Sequence, residues 1–218
     1  MKYESKEWLP IAIDYETVDS SGGSITLKNM IAEANPHTNE IRIDIDEVIR
    51  QEQIILAEEY GIRPRQLQIL LFLYAKGPRF ATHQPIKQKY TFNKMLFYLF
   101  KKLEELGFKR SFIHDQIECL RRGPVPVNLK EDTEELAKRK LIRLQEGGKK
   151  HQRPYVYELT DEGKRVASEL WKKSPKIVVD TITKIKQDLL LLDSTALMHK
   201  VHEEYPEYRD TFVEEDRE

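Results

Sequence analysis

Lys149, Lys150, His151 and Arg153 fall within five positions, directly after the glycine pair Gly147-Gly148. Ammonium and guanidinium groups on a tight turn can hold phosphate, because they donate to its oxygens and neutralise its charge. The turn lies between Leu141-Ile142-Arg143-Leu144 and Tyr155-Val156-Tyr157-Glu158-Leu159, two β-type runs that predict a hairpin. Upstream, Asn128 is placed to cap a helix reaching Lys140, and Glu131 three positions on would complete a capping box. Lys138, Arg139 and Lys140 give that helix a cationic end. Downstream, Thr160-Asp161-Glu162-Gly163 opens a further helix. A helix, a hairpin with a basic tip and another helix follow the order of a winged helix, so the tip and its flank are candidates for contacting double-stranded DNA.

Charge along the chain supports that candidate. Residues 86–176 hold 22 Lys and Arg against 13 Asp and Glu, whereas residues 1–85 hold 9 against 13 and residues 177–218 hold 5 against 11. A basic middle between acidic ends points to a polyanionic partner for the middle, although blocks of charge also occur as plain solvated faces. Against DNA stand Glu131, Asp132, Glu134 and Glu135, in the first turns of the helix that would enter a major groove. Acids there also complement the helix dipole, so this helix is equally a well-charged surface element, and phosphate contact falls to the wing.

Other chemistry finds little footing. The chain has no Gly-rich phosphate loop, no His-Glu-x-x-His and no Gly-x-Ser-x-Gly. His199 and His202, with Glu203 beside them, have metal-binding spacing but no third ligand in view, and His114-Asp115 with Glu118 is no stronger. Cys119, the single cysteine, excludes an internal disulfide and a cysteine-rich zinc site. Phe92, Phe97, Tyr98 and Phe100 read as core. A non-enzymatic protein without cofactor or metal is expected.

The elements that must position the basic turn can be read in order. Ile11, Ile13 and Tyr15, then Ile25 and Leu27, then Ile41, Ile43 and Ile45 alternate with polar or small residues and predict a three-stranded meander. Helices are predicted at about 46–60, from Pro64 to Gly77, at about 91–106 and, shorter, over 111–122. Gly123-Pro124-Val125-Pro126 is a stiff extended lead-in. After Pro175, Val178, Ile182, Ile185, Leu189 and Leu192 step by fours and threes, a heptad seam that serves either a dimer or the chain's own core. The segment 214–218 is acidic and expected to be disordered. The fold class expected is mainly α with a small β component (α+β). Its parts are an N-terminal meander and helix (1–60), a winged-helix domain (61–174) and a C-terminal helical extension with an acidic tail (175–218). With 39% hydrophobic and 33% charged residues, no signal-like N-terminus and its most apolar segment (Ile69 to Ala75) far too short to span a bilayer, a soluble cytoplasmic protein without membrane contact is expected.

Four segments carry a resemblance. Pro85-Ile86-Lys87-Gln88-Lys89-Tyr90-Thr91-Phe92-Asn93-Lys94-Met95-Leu96-Phe97 resembles the second helix of the Panacea, or SocA-like, antitoxin group. Gly123-Pro124-Val125-Pro126, followed by Glu131-Asp132 and Leu136 to Leu141-Ile142, resembles that group's Gly-Pro-x-Ser helix ending in Gly-Leu-Ile. Tyr157 to Gly163 is similar to the Leu-Thr-x-x-Gly step of many winged-helix proteins, and Tyr205-Pro206-Glu207-Tyr208 is similar to the group's C-terminal Tyr-Pro-Glu-Tyr. The likeness covers roughly residues 69–208, with Pro126 in place of the Ser, Asn93 of the Gln and Lys140 of the Gly. It implies a winged-helix scaffold used for antitoxin or regulatory work, often through protein contacts, with no fixed catalytic residues. The function expected is therefore a dimeric DNA-binding transcriptional regulator. The alternative is an antitoxin-like module that neutralises a partner protein.

Overall fold

A computed structural model describes residues 8–19, 21–78, 83–105, 117–120, 123–145 and 155–208. Alternation builds the N-terminal sheet as expected, except that Ile45 opens the first helix and does not extend the third strand. On β1 (Leu9–Val18), Ile11, Ile13 and Tyr15 are half-buried while Ala12, Asp14 and Glu16 face out. β2 (Ser24–Ala34) returns antiparallel and β3 (Ile41–Ile43) joins its far side, giving the order β1-β2-β3. Leu27 and Met30 pack with Val48 of α1 (Ile45–Glu59) in a small separate core. Asp44 caps α1 by accepting from the Asp46 amide at 3.0 Å.

The main core forms around two helices. α2 (Pro64–Tyr74) has Pro at its first position and is apolar nearly all round, and each residue from Leu67 to Leu73 is at most 1% exposed. α3 (Lys89–Glu105) buries Phe92, Met95, Leu96, Phe97, Leu99, Phe100 and Leu103. Between them β4 (Ile86–Lys87) enters a second sheet.

Residues 117–120 differ from expectation. They form β5 (Ile117–Leu120), paired antiparallel with β6 (Gly123–Pro126), and not the end of a helix. The extended Gly-Pro-Val-Pro segment offers backbone partners to Ile117–Leu120, and that pairing overrides a helical apolar spacing. The rest of the helix expected over 111–122, with His114 and Asp115, lies outside the described residues.

α4 (Leu129–Lys138) follows, then β7 (Ile142–Gln145) and β8 (Val156–Leu159). The second sheet has the order β4-β8-β7, with Ile86 opposite Tyr157 and Ile142 opposite Leu159. Its inner face carries Ile86, Ile142, Leu144, Tyr157 and Leu159, and Tyr157 stacks on Phe92 at 3.8 Å between ring centroids. Thr160 caps α5 (Asp161–Lys173) by accepting from the Gly163 amide at 3.0 Å. Gly163 is required there, because a Cβ would stand 1.8 Å from the Leu141 carbonyl oxygen.

α6 (Lys176–Leu189) and α7 (Ser194–Glu204) close the chain, followed by one 3₁₀ turn, Pro206–Tyr208. The core that begins at Leu56 runs without a break to Tyr205, so the boundary expected at residue 174 falls between Leu170 and Val178, both members of it. The heptad seam is corrected in the same way. Val178, Ile182 and Leu189 are fully buried within one chain, Ile185 is 6% exposed and Leu192 packs partly buried against the same core. The helix also ends at Leu189, and Asp193 caps a new one. The seam closes inside the chain and leaves no such face for a dimer.

The four segments that carry the Panacea resemblance meet around α3. Lys94 donates to the Pro124 carbonyl at 2.6 Å, Phe92 stacks on Tyr157, and Phe97 meets Tyr205 and Tyr208 edge-on at 5.6 and 5.1 Å. No helix among the described residues is long and apolar enough to cross a membrane.

Candidate nucleic-acid interface

The hairpin expected on either side of the basic turn is present: β7 and β8 pair in register from Ile142↔Leu159 to Gln145↔Val156. Lys149, Lys150, His151 and Arg153 lie in the connection between these strands, outside the described residues. The strand register fixes where the connection starts, immediately beyond the Gln145–Val156 pair.

The three cations assigned to the flank separate into two kinds. Lys138, in the last turn of α4, is exposed. Lys140 is exposed too, at a φ of +60° that carries the chain from helix to strand. Arg139 has another task. Its guanidinium donates to the carbonyls of Tyr60, at 2.8 Å, and Gly61, satisfying acceptors left open at the end of α1. It is a helix-end clasp between α1 and α4, and a phosphate would have to compete with those bonds.

Sequence reasoning missed cations that folding brings beside the hairpin. Lys87 on β4 lies opposite Val156, in the row of the sheet nearest the connection. Lys89, two residues on, opens α3. Arg143 on β7 is 60% exposed and pairs across the strands with Glu158 at 2.8 Å. The signal was present in the alternation Ile86-Lys87-Gln88-Lys89, but only the pairing of β4 with β8 places those lysines beside the hairpin. Lys87, Lys89, Lys138 and Lys140 are exposed and have no ion-pair partner among the described residues.

The acids of α4 are placed differently from the expectation of a repulsive face. Asp132 is fully buried; it accepts from Arg63 at 3.1 Å and from Arg65 Nε at 2.8 Å. Arg63 also reaches Glu131 at 2.9 Å and Glu135 at 3.1 Å, and Gln66 donates to Glu135 at 3.0 Å. These carboxylates hold the Arg63 pKa above its usual value, the hydrogen bond to Glu131 contributing most. Three of the four acids thus clamp α4 to the first turn of α2, while Glu134 stands 3.7 Å from Lys130. The expected capping box is absent. Asn128 makes no side-chain cap bond, because its backbone leaves the extended region (φ 17°) and Glu131 is drawn to Arg63.

Between α3, β6, α4 and β8 lies a groove of about 640 Å³, lined in part by Lys89, Asn93, Asn128, Lys130, Glu134 and Tyr155. Its lining includes Lys89 at the opening of α3 and Tyr155 at the start of the β8 side of the hairpin. Among the described residues no group of three or more His, Cys, Asp or Glu is gathered to hold a metal ion. His199 is exposed on α7 and His202 half-buried beside it.

No family model, curated protein or solved structure matches this chain.

Proposed function

We propose that this chain is a winged-helix protein that binds double-stranded DNA through phosphate contacts from the β7–β8 hairpin and the exposed lysines beside it. It acts as a transcriptional regulator and not as an enzyme. One observation carries this function: Lys87, Lys89, Lys138 and Lys140, exposed and without an ion-pair partner among the described residues, flank a hairpin whose connection contributes Lys149, Lys150, His151 and Arg153. Apart from the β5–β6 hairpin inserted between α3 and α4, the order α3, α4, β7, β8, with β4 as third strand, follows that of a winged helix. The four segments resembling the Panacea group pack around α3, in keeping with a shared scaffold.

α4 has no reading role in this proposal. Glu131, Asp132 and Glu135 are engaged by Arg63 and Arg65, and Glu134 stands beside Lys130, so the acids of α4 are turned to holding the fold and not to reaching for bases. The phosphate contacts of the hairpin and its lysines, about five in number, contribute alike at every sequence.

The test is a titration of a labelled random-sequence duplex at two salt concentrations. About five phosphate contacts predict a loss of affinity of roughly 500-fold between about 50 and 200 mM salt. No binding at the lower salt rejects the proposal. Stable co-purification with a single protein at high salt, without DNA binding, favours the antitoxin-like alternative.

A further inference from the structure

We propose that the outer edge of β1 receives an extended, basic segment of a partner protein by strand addition. β1 is ten residues long and pairs only with β2 among the described strands, so one side of its backbone has no strand partner. Edge strands are usually blunted by a lysine, a proline or a bulge. From Leu9 to Val18 there is no Lys or Arg. Pro10 removes one amide, at the end of the strand only. The register shift between Ile13 and Tyr15 places two residues of β2, Lys28 and Asn29, opposite Asp14, so the extra residue belongs to β2 and β1 itself stays continuous. The usable edge is Ile11 to Val18.

The sheet that β1 borders is apolar at its surface in a way the rest of the described surface is not. Five of the seven large hydrophobic residues left exposed, Leu9, Val18, Ile31, Ile41 and Ile45, belong to this sheet or to the first residue of α1. Ile31 is 72% exposed, opposite Ala12 on the outer face. Concentrated exposure of this kind marks an interaction surface.

Charge identifies the occupant. Residues 8–60 carry 11 Asp and Glu against three Lys and Arg. Two of the acids, Asp14 and Glu16, project from β1 on its solvent side, and Arg42, one of the three cations, already lies over the Trp8 ring at 3.8 Å. A second copy of this sheet laid edge to edge would bring acidic surfaces together. A strand alternating apolar and basic residues fits both faces at once. Its apolar side chains would continue the row Ile11, Ile13 and Tyr15, and its basic ones would meet Asp14 and Glu16. Backbone hydrogen bonds supply affinity in this mode, and alternate side chains supply specificity.

The probe is a blocked peptide of alternating Val and Lys, as long as β1, titrated into the full chain with amide exchange followed residue by residue. Binding is expected to protect amides between Ile11 and Val18. A peptide with Glu in place of Lys is expected to bind at least about tenfold more weakly. The double change Asp14→Asn and Glu16→Gln keeps the Asp14 side-chain oxygen that accepts from the Asn29 amide at 3.0 Å, so folding is retained. It is expected to weaken the Lys peptide about tenfold with an unchanged melting temperature. Three results overturn the proposal: no binding; equal binding of both peptides; or protection of the same amides that rises with protein concentration alone, which would make the occupant a second copy. None of them bears on DNA binding at the hairpin.

Discussion

Gly163 offers a clean contest between two effects of opposite sign. Replacing a helical glycine by alanine normally stabilises by about 1 kcal/mol, through helix propensity. In this chain the new methyl group would sit 1.8 Å from the Leu141 carbonyl oxygen and 2.8 Å from its carbon, where ordinary contact begins near 3.4 Å. Both partners are backbone, so no side chain can swing away. The first turn of α5 and the strand entry at Leu141 must part. The same carbonyl accepts from the Thr160 amide at 3.1 Å, and the Thr160 hydroxyl donates to the Lys140 and Leu141 carbonyls. Losing about two such bonds costs roughly 2 kcal/mol, and residual crowding adds about 1–3 kcal/mol. Against the propensity gain, Gly163→Ala should destabilise by about 2–4 kcal/mol, lowering the melting temperature by roughly 5–15 °C. Urea and thermal denaturation followed by circular dichroism measure it. A variant as stable as the parent, or more so, would refute the close approach of α5 to β7, and with it the placement of the hairpin.

Asp132→Ala removes the buried carboxylate between Arg63 and Arg65. Because the two arginine side chains are 41% and 22% exposed and can turn to water, the expected cost is about 2 kcal/mol, below that of a fully buried pair, and denaturant titration reads it. Lys186, buried against the C-terminal end of α2, donates to the Leu73 and Ala75 carbonyls at 2.8 Å, and burial lowers its pKa to about 7. The unfolded chain then binds the extra proton between about pH 7 and 10, so this group makes stability rise with pH there by up to about 1.4 kcal/mol per unit. Lys186→Met should flatten that rise, and an unchanged pH profile would refute it.

Legibility in the sequence followed the range of the interactions. Local signals carried through: Pro64 starts α2, Thr160 caps α5, and the Ile11-Ile13-Tyr15 alternation forms a strand. Elements decided by distant partners did not. One near pairing was missed too: Ile117–Leu120 is a strand because Gly123–Pro126, adjacent in sequence, pairs with it. Glu131 left its capping position because Arg63, far away in sequence, lies beside it. The seam from Val178 to Leu189 has the spacing of a dimer interface, yet α2 and α3 of the same chain fill it, and spacing alone does not distinguish those partners. In the candidate interface, the two strands flanking the basic turn and the exposed Lys138 and Lys140 were legible. Lys87 and Lys89 were not, since their place depends on which strand β4 joins, and the task of Arg139 depends on where α1 ends.

The central claim is that a basic hairpin binds DNA phosphate, and the salt dependence of duplex binding in the parent and in the double variant Lys149→Ala, Lys150→Ala tests it most directly. Each lost phosphate contact should reduce the slope of log affinity against log salt by about 0.9, so the variant is predicted to show a slope shallower by about 1.8, weaker binding to every sequence and an unchanged melting temperature. Identical slopes and affinities in the two proteins would contradict it.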